Sequence, residues 1–130
     1  MQWVEEALRG FGRYLGVDEL SFSDHGLLEL TLENGSVVAI EDRSEASDQF
    51  LIYLRRPVGY QAAAWLRKAL VRCHAECHSP WPLQVALRGQ GTDTVLILLT
   101  RVSARGFTPQ ALSQAIEYQL RWSETLRPTP

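Results

Sequence analysis

The densest run of chemically capable side chains is Cys73-His74-Ala75-Glu76-Cys77-His78, with two thiols and two imidazoles. Zinc accepts both ligand types. On one helix, however, Cys73 and Cys77 share a face while His74 and His78 lie about 100° round. Four such ligands cannot converge on one ion without unwinding the helix. Zinc modules divide their ligands between two segments, and no second pair occurs here. No metal and no other cofactor is assigned. Cys73 is expected in the core, with both histidines near a helix C-terminus, where positive charge is favoured. A half-site completed by a second chain is the alternative, in a metal-binding or enzymatic small α+β protein built on Cys73, His74, Cys77 and His78.

Other chemistry finds less support. There is no Gly-x-Ser-x-Gly, and neither cysteine has a recognised nucleophile context. Asp24-His25 lies in a turn-rich polar stretch. Gly89-Gln90-Gly91 lacks the Lys-Ser/Thr of a phosphate loop and precedes a strand rather than a helix. The paired acids Glu5/Glu6 and Glu41/Asp42 read as solvated surface. No enzyme is expected.

The totals narrow the class. A chain of 130 residues, 45% hydrophobic and 22% charged, is of the size for one globular domain spanning 1–130, with residues 127–130 as a frayed tail. No apolar run reaches the roughly 20 residues of a membrane span. The N-terminus carries acids where a signal peptide has bases. Two cysteines without an export signal fit a reducing cytoplasm. The net charge of −2 hides a division: residues 1–50 carry 11 acids against 3 bases, and residues 51–130 carry 4 against 10. Those bases are scattered and not interleaved with aromatics, so nucleic acid is not the expected partner.

The framework follows from periodicity. Val4, Ala7, Leu8, Phe11 and Leu15 form a helical stripe, with Trp3 and Tyr14 at its edge. Gly10 and Gly12 each lower helix propensity by about 1 kcal/mol, so packing must hold this helix. Leu28, Leu30 and Leu32 alternate in a strand. Asn34-Gly35 is a hairpin signal, and Val37–Glu41 is the return strand. An acidic loop, 41–48, leads to a third strand at 50–54. Residues 60–78 read as a second helix with Ala62, Leu66, Ala69, Leu70 and Cys73 inward, and Trp65 about 100° from Leu66. Strands follow at 83–88 and 94–100. Thr108-Pro109 opens a last helix with Leu112, Ile116 and Leu120 inward. The order α-β-β-β-α-β-β-α predicts an α+β fold, a twisted antiparallel sheet with helices packed to one side. In the fifth strand Leu96 and Leu98 face one way and Val95, Ile97 and Leu99 the other. Both faces are apolar, and the chain's own helices can cover only one.

This arrangement resembles the class I chaperones of bacterial type III secretion. The closer similarity is to the SycN-type chaperone of the secretion gatekeeper. It is carried by Trp3-Val4-Glu5, Leu8, Phe11, Leu15-Gly16-Val17, Leu28-Glu29-Leu30, Gly35-Ser36-Val37, Gln114-Ala115-Ile116-Glu117, Leu120-Arg121 and Pro128. The resemblance implies a non-enzymatic cytoplasmic chaperone serving protein transport and virulence, without a cofactor. It implies a heterodimer with a second small chaperone of the same fold, a YscB-type partner. The pair would hold the N-terminal segment of a secreted gatekeeper or effector in extended form. By that analogy the second helix and fourth strand carry the partner contact, placing Trp65, Leu66, Ala69, Trp81, Leu83 and Val85 there. A charge at Trp65 is then expected to abolish pairing without unfolding the chain. Trp3, Tyr14, Leu28 and Phe50 are the client-binding candidates, with core packing the favoured role for Leu28 and Phe50. A generic protein-interaction adaptor would use the same surfaces.

Overall fold

The computed structural model describes residues 2–16, 20–32, 35–75 and 83–126, with backbone only at 2, 3, 14 and 15. Helix α1 (Gln2–Leu15) buries Val4, Ala7, Leu8 and Phe11, as its spacing requires. Glu5 in its first turn and Arg13 in its last complement the helix dipole. Gly16, at φ 71°, follows its last residue.

Strands β1 (Leu27–Thr31) and β2 (Val37–Arg43) form a hairpin in which Leu28 opposes Ile40 and Leu30 opposes Val38. Gly35 sits at φ 85° within its turn, where a left-handed residue is needed; Asn34 lies outside the described residues. The acidic stretch that follows is more than a solvated loop. Asp42 accepts hydrogen bonds from the Ser44 backbone N–H at 2.9 Å and the Ser44 hydroxyl at 2.6 Å. These start one helical turn, α2 (Ser44–Ser47), which Asp48 ends in the left-handed conformation at φ 58°.

Strand β3 (Gln49–Pro57) and strand β5 (Val95–Ser103) pair along nine residues each, from Gln49 opposite Ser103 to Pro57 opposite Val95. Both outrun the apolar segments that mark them in the sequence. Central strands are held by backbone pairing as well as by apolar side chains, so Arg55, Arg56 and Arg101 are carried within them. Between these strands lie α3 (Ala62–Ala75) and β4 (Gln84–Arg88). The sheet is antiparallel in the order β1-β2-β3-β5-β4, leaving β1 and β4 as edges.

Helix α4 (Pro109–Thr125) is capped by Thr108, whose hydroxyl accepts from the Ala111 N–H at 3.0 Å. It buries Leu112, Ala115, Ile116, Gln119 and Trp122, and Leu120 packs half-buried against the same core, so the inward face is wider than the expected stripe and takes in Gln119. Gln119 is wholly buried because its amide Nε2 donates to the Ile52 carbonyl at 2.9 Å and the Thr100 hydroxyl at 3.2 Å. A bonded amide can replace a hydrocarbon at the sheet centre. Helices α1 and α4 meet closely: a Cβ on Gly10 would lie 2.6 Å from Pro109 Cγ. That close approach is why α1 carries glycine despite its propensity cost.

Candidate protein-interaction surfaces

No group of three or more His, Cys, Asp or Glu among the described residues could hold a metal ion. Cys73 is half-buried, its thiol directed at the Leu83 carbonyl at 3.5 Å, and His74 is exposed. Cys77 and His78 lie outside the described residues. The helices instead define two contrasting surfaces.

The first is the outer side of α3. Apolar residues run almost all round this helix, so periodicity could not choose its rotation. Two cation–π contacts do. The Arg56 guanidinium of β3 lies 5.0 Å from the Trp65 ring centre, and Arg72 of α3 lies 5.1 Å from that of Trp122 on α4. Arg56 is itself buried and donates to Glu124 at 2.7 Å and Ser123 at 3.1 Å. This roll places Trp65 at 4% exposed and Ala69 at 0%, and turns Leu70 outward at 54%. Leu70 therefore leaves the inward stripe assigned to it. A charge at Trp65 would enter the core and unfold the chain, contrary to the expected clean loss of pairing. Leu66, Leu83 and Val85 are half-buried, and Trp81 lies outside the described residues. Among the described residues the exposed large hydrophobics are Tyr60 (83%), Leu70 and Val71 (68%). Sequence reasoning missed all three: only the rotation of α3 turns Leu70 and Val71 outward, and Tyr60 lies in a tight turn, residues 59–61, ahead of that helix.

The second surface is the helix-free face of the sheet. The core side carries Leu28, Val38, Ile40, Phe50, Ile52, Leu54, Leu96 and Leu98, all buried. Phe50 stacks on Phe107 at 3.7 Å between ring centres. Leu28 and Phe50 thus pack the core, the role favoured for them, and are not exposed to a client. The side chains of Trp3 and Tyr14 lie outside the described residues. On the opposite face Val37, Tyr53, Val95, Ile97 and Leu99 are half-buried, with none of the long helices among the described residues above them. A groove of about 400 Å3 opens here, lined by residues including Leu27, Ala39, Tyr53, Arg55, Arg88 and Ile97. Its charges are partly paired. Arg55 bonds Glu29, and Glu41 takes the Tyr53 hydroxyl and Arg43. Burial, with the Glu41 carboxylate adding to it, pushes the Tyr53 phenol up to about 12. Tyr53 therefore stays neutral, and its hydroxyl donates a hydrogen bond to the Glu41 carboxylate.

The chain is similar to the Yersinia pestis type III secretion chaperone SycH, crystallised with a stable fragment of YscM2. The TM-score is 0.67 at 18% identity, covering 95% of this chain and 99% of that one. It is likewise similar to a chain of the ExsC–ExsE complex (TM-score 0.71, 17% identity, 94% and 89% covered). A chain of the HopA1–SchA chaperone–effector complex matches at a TM-score of 0.68 and 16% identity, with 96% and 93% covered. At such identities the likeness establishes the type III secretion chaperone fold. No curated protein matches the chain in sequence. The family does: the model described as type III secretory system chaperone SycN matches residues 3–126, and the chain belongs to that family. No helix among the described residues is long and apolar enough to cross a membrane.

Proposed function

We propose that this chain is one half of a heterodimeric cytoplasmic chaperone. Its other half is a second small chaperone of the same fold, of the YscB type. The pair holds the N-terminal segment of a secreted gatekeeper protein extended and competent for secretion. It does so by binding alone, with no enzymatic step and no cofactor.

The observation that carries this reading is the exposed apolar pair Leu70 and Val71 on α3, the helix that lies against edge strand β4, with Tyr60 exposed in the turn that precedes it. Large apolar groups concentrated on one exposed face mark a protein interface. Leu66, Leu83 and Val85 extend the proposed contact at its margin. Trp65 and Ala69 serve it from behind, by setting the rotation of α3. The other edge, β1, offers unpaired backbone groups to a client strand, as in β-strand addition.

The test is co-purification from the native host with the bound proteins identified and counted. A stoichiometric second small chain, with a larger protein held by its N-terminal segment, is expected. Leu70→Glu with Val71→Glu should remove the small chain while leaving the melting temperature within a few degrees, since both side chains are exposed. A chain that elutes alone and monomeric, or a double variant that pairs normally, refutes the reading.

A further inference from the structure

Helix α3 carries charge of one sign. It holds Arg67, Lys68 and Arg72 and no acid. Strands β4 and β5 and the tight turn at 59–61, which lie against it, hold none either. Between residues 49 and 92 the sequence has a single acid, Glu76, outside the described residues. The position of Arg67 matters most. Successive helical residues turn by about 100°, so Arg67 lies between the two exposed apolar residues, about 60° from Leu70 and about 40° from Val71. Exposed Ala63 and His74 continue the same stripe to either side of it. No ion pair engages Arg67 among the described residues.

That placement decides which partners the face accepts. Anything docked over both Leu70 and Val71 covers Arg67 as well and takes its guanidinium out of water. A charge buried at an interface is tolerated only where an opposite charge meets it. A second copy of this chain does not supply one from α3. In a two-fold pairing each copy presents the same patch to the other, so Arg67 meets its own image or the His74 imidazole and not a carboxylate. The apolar pair draws a partner in, and the arginine between its members rejects a copy.

We propose that Arg67 sets the pairing specificity of α3. It disfavours self-association and selects a different protein, one that presents an apolar helix face with a carboxylate beside its stripe. The assignment rests on the reading of α3 as the partner surface given above. It adds the chemistry of that partner and the residue that reads it.

Two measurements on the full chain test this without client or native partner, so its failure and that of the co-purification are read separately. The first is sedimentation over a concentration series. Arg67→Leu joins Leu70 and Val71 into one apolar stripe and should self-associate about tenfold more tightly than the parent. The second is fluorescence anisotropy with two synthetic amphipathic helical peptides that share a leucine stripe, flanked by glutamates in one and lysines in the other. The glutamate peptide should bind about tenfold tighter, added salt should narrow the difference, and Arg67→Glu should reverse it. Leu70→Glu with Val71→Glu should lose the glutamate peptide, which ties the site to α3. Arg67 is exposed, so its variants should melt within a few degrees of the parent. A parent dimer that Leu70→Glu with Val71→Glu dissociates overturns the proposal, because it assigns the face to a second copy. So does an Arg67→Leu chain no more associated than the parent, equal affinity for the two peptides, binding of neither, or a glutamate preference that survives Arg67→Glu.

Discussion

Replacing Gly10 sets two effects of known size against each other. Alanine in place of glycine within α1 should gain about 1 kcal/mol of helix propensity. The new methyl, however, would lie 2.6 Å from Pro109 Cγ and 3.0 Å from Pro109 Cβ. Ordinary carbon contacts lie at about 3.5–4.0 Å, so the overlap is about 1 Å against a rigid ring that cannot swing aside. Overpacking of this kind costs about 1–3 kcal/mol. Packing should win, leaving Gly10→Ala about 1 kcal/mol less stable than the parent. For a chain of this length that is a fall of about 4 °C in melting temperature. Gly10→Val, bulkier and gaining less propensity, should lose about twice as much. Adding Pro109→Ala should recover most of the loss, although it forfeits a favourable first-turn proline. Thermal and urea unfolding of the parent, Gly10→Ala, Pro109→Ala and the double variant form a double-mutant cycle. The reasoning is refuted if Gly10→Ala is stabilised by the full propensity gain, because α1 and α4 would then part at no cost.

Two further outcomes follow from the buried polar contacts. Arg56→Met removes a cation–π contact and a charge-assisted hydrogen bond but also relieves a desolvated charge, while Glu124, 53% exposed, returns to water. A net loss of about 1–2 kcal/mol is expected in urea unfolding, and an equally stable variant would show that desolvation cancels the contact. Tyr53, raised from 10.0 to about 12 by burial and then by Glu41, contributes stability that is complete below about pH 10 and lost as pH rises through about 12. Alkaline absorbance titration should show a late tyrosinate step that Tyr53→Phe removes, and its survival in that variant would assign the step to another phenol.

The sequence alone determined much of the framework. Five strands, three long helices and the side-chain alternation of β5 follow from apolar spacing, because those patterns report which side of an element is dry. The Thr108-Pro109 start and the Gly35 turn were equally legible, since capping and left-handed residues act locally. The family was legible as a pattern of such spacings, and the absence of any defensible catalytic constellation directed the reading toward binding.

What only the tertiary structure decided concerns residues whose role depends on a distant partner. Gln119 reads as surface until Ile52 and Thr100 supply its hydrogen bonds from two strands. Trp65 reads as a free anchor until Arg56 draws it inward, and Leu70 reads as core until the same rotation exposes it. The charge division between the two halves of the chain was countable from the start. Sheet order explains where it goes: β5 inserts between β3 and β4, gathering strands of the basic second half beside β1 and β2 of the acidic first. Local spacing records burial, whereas helix rotation and strand order are settled by contacts between segments far apart in the chain.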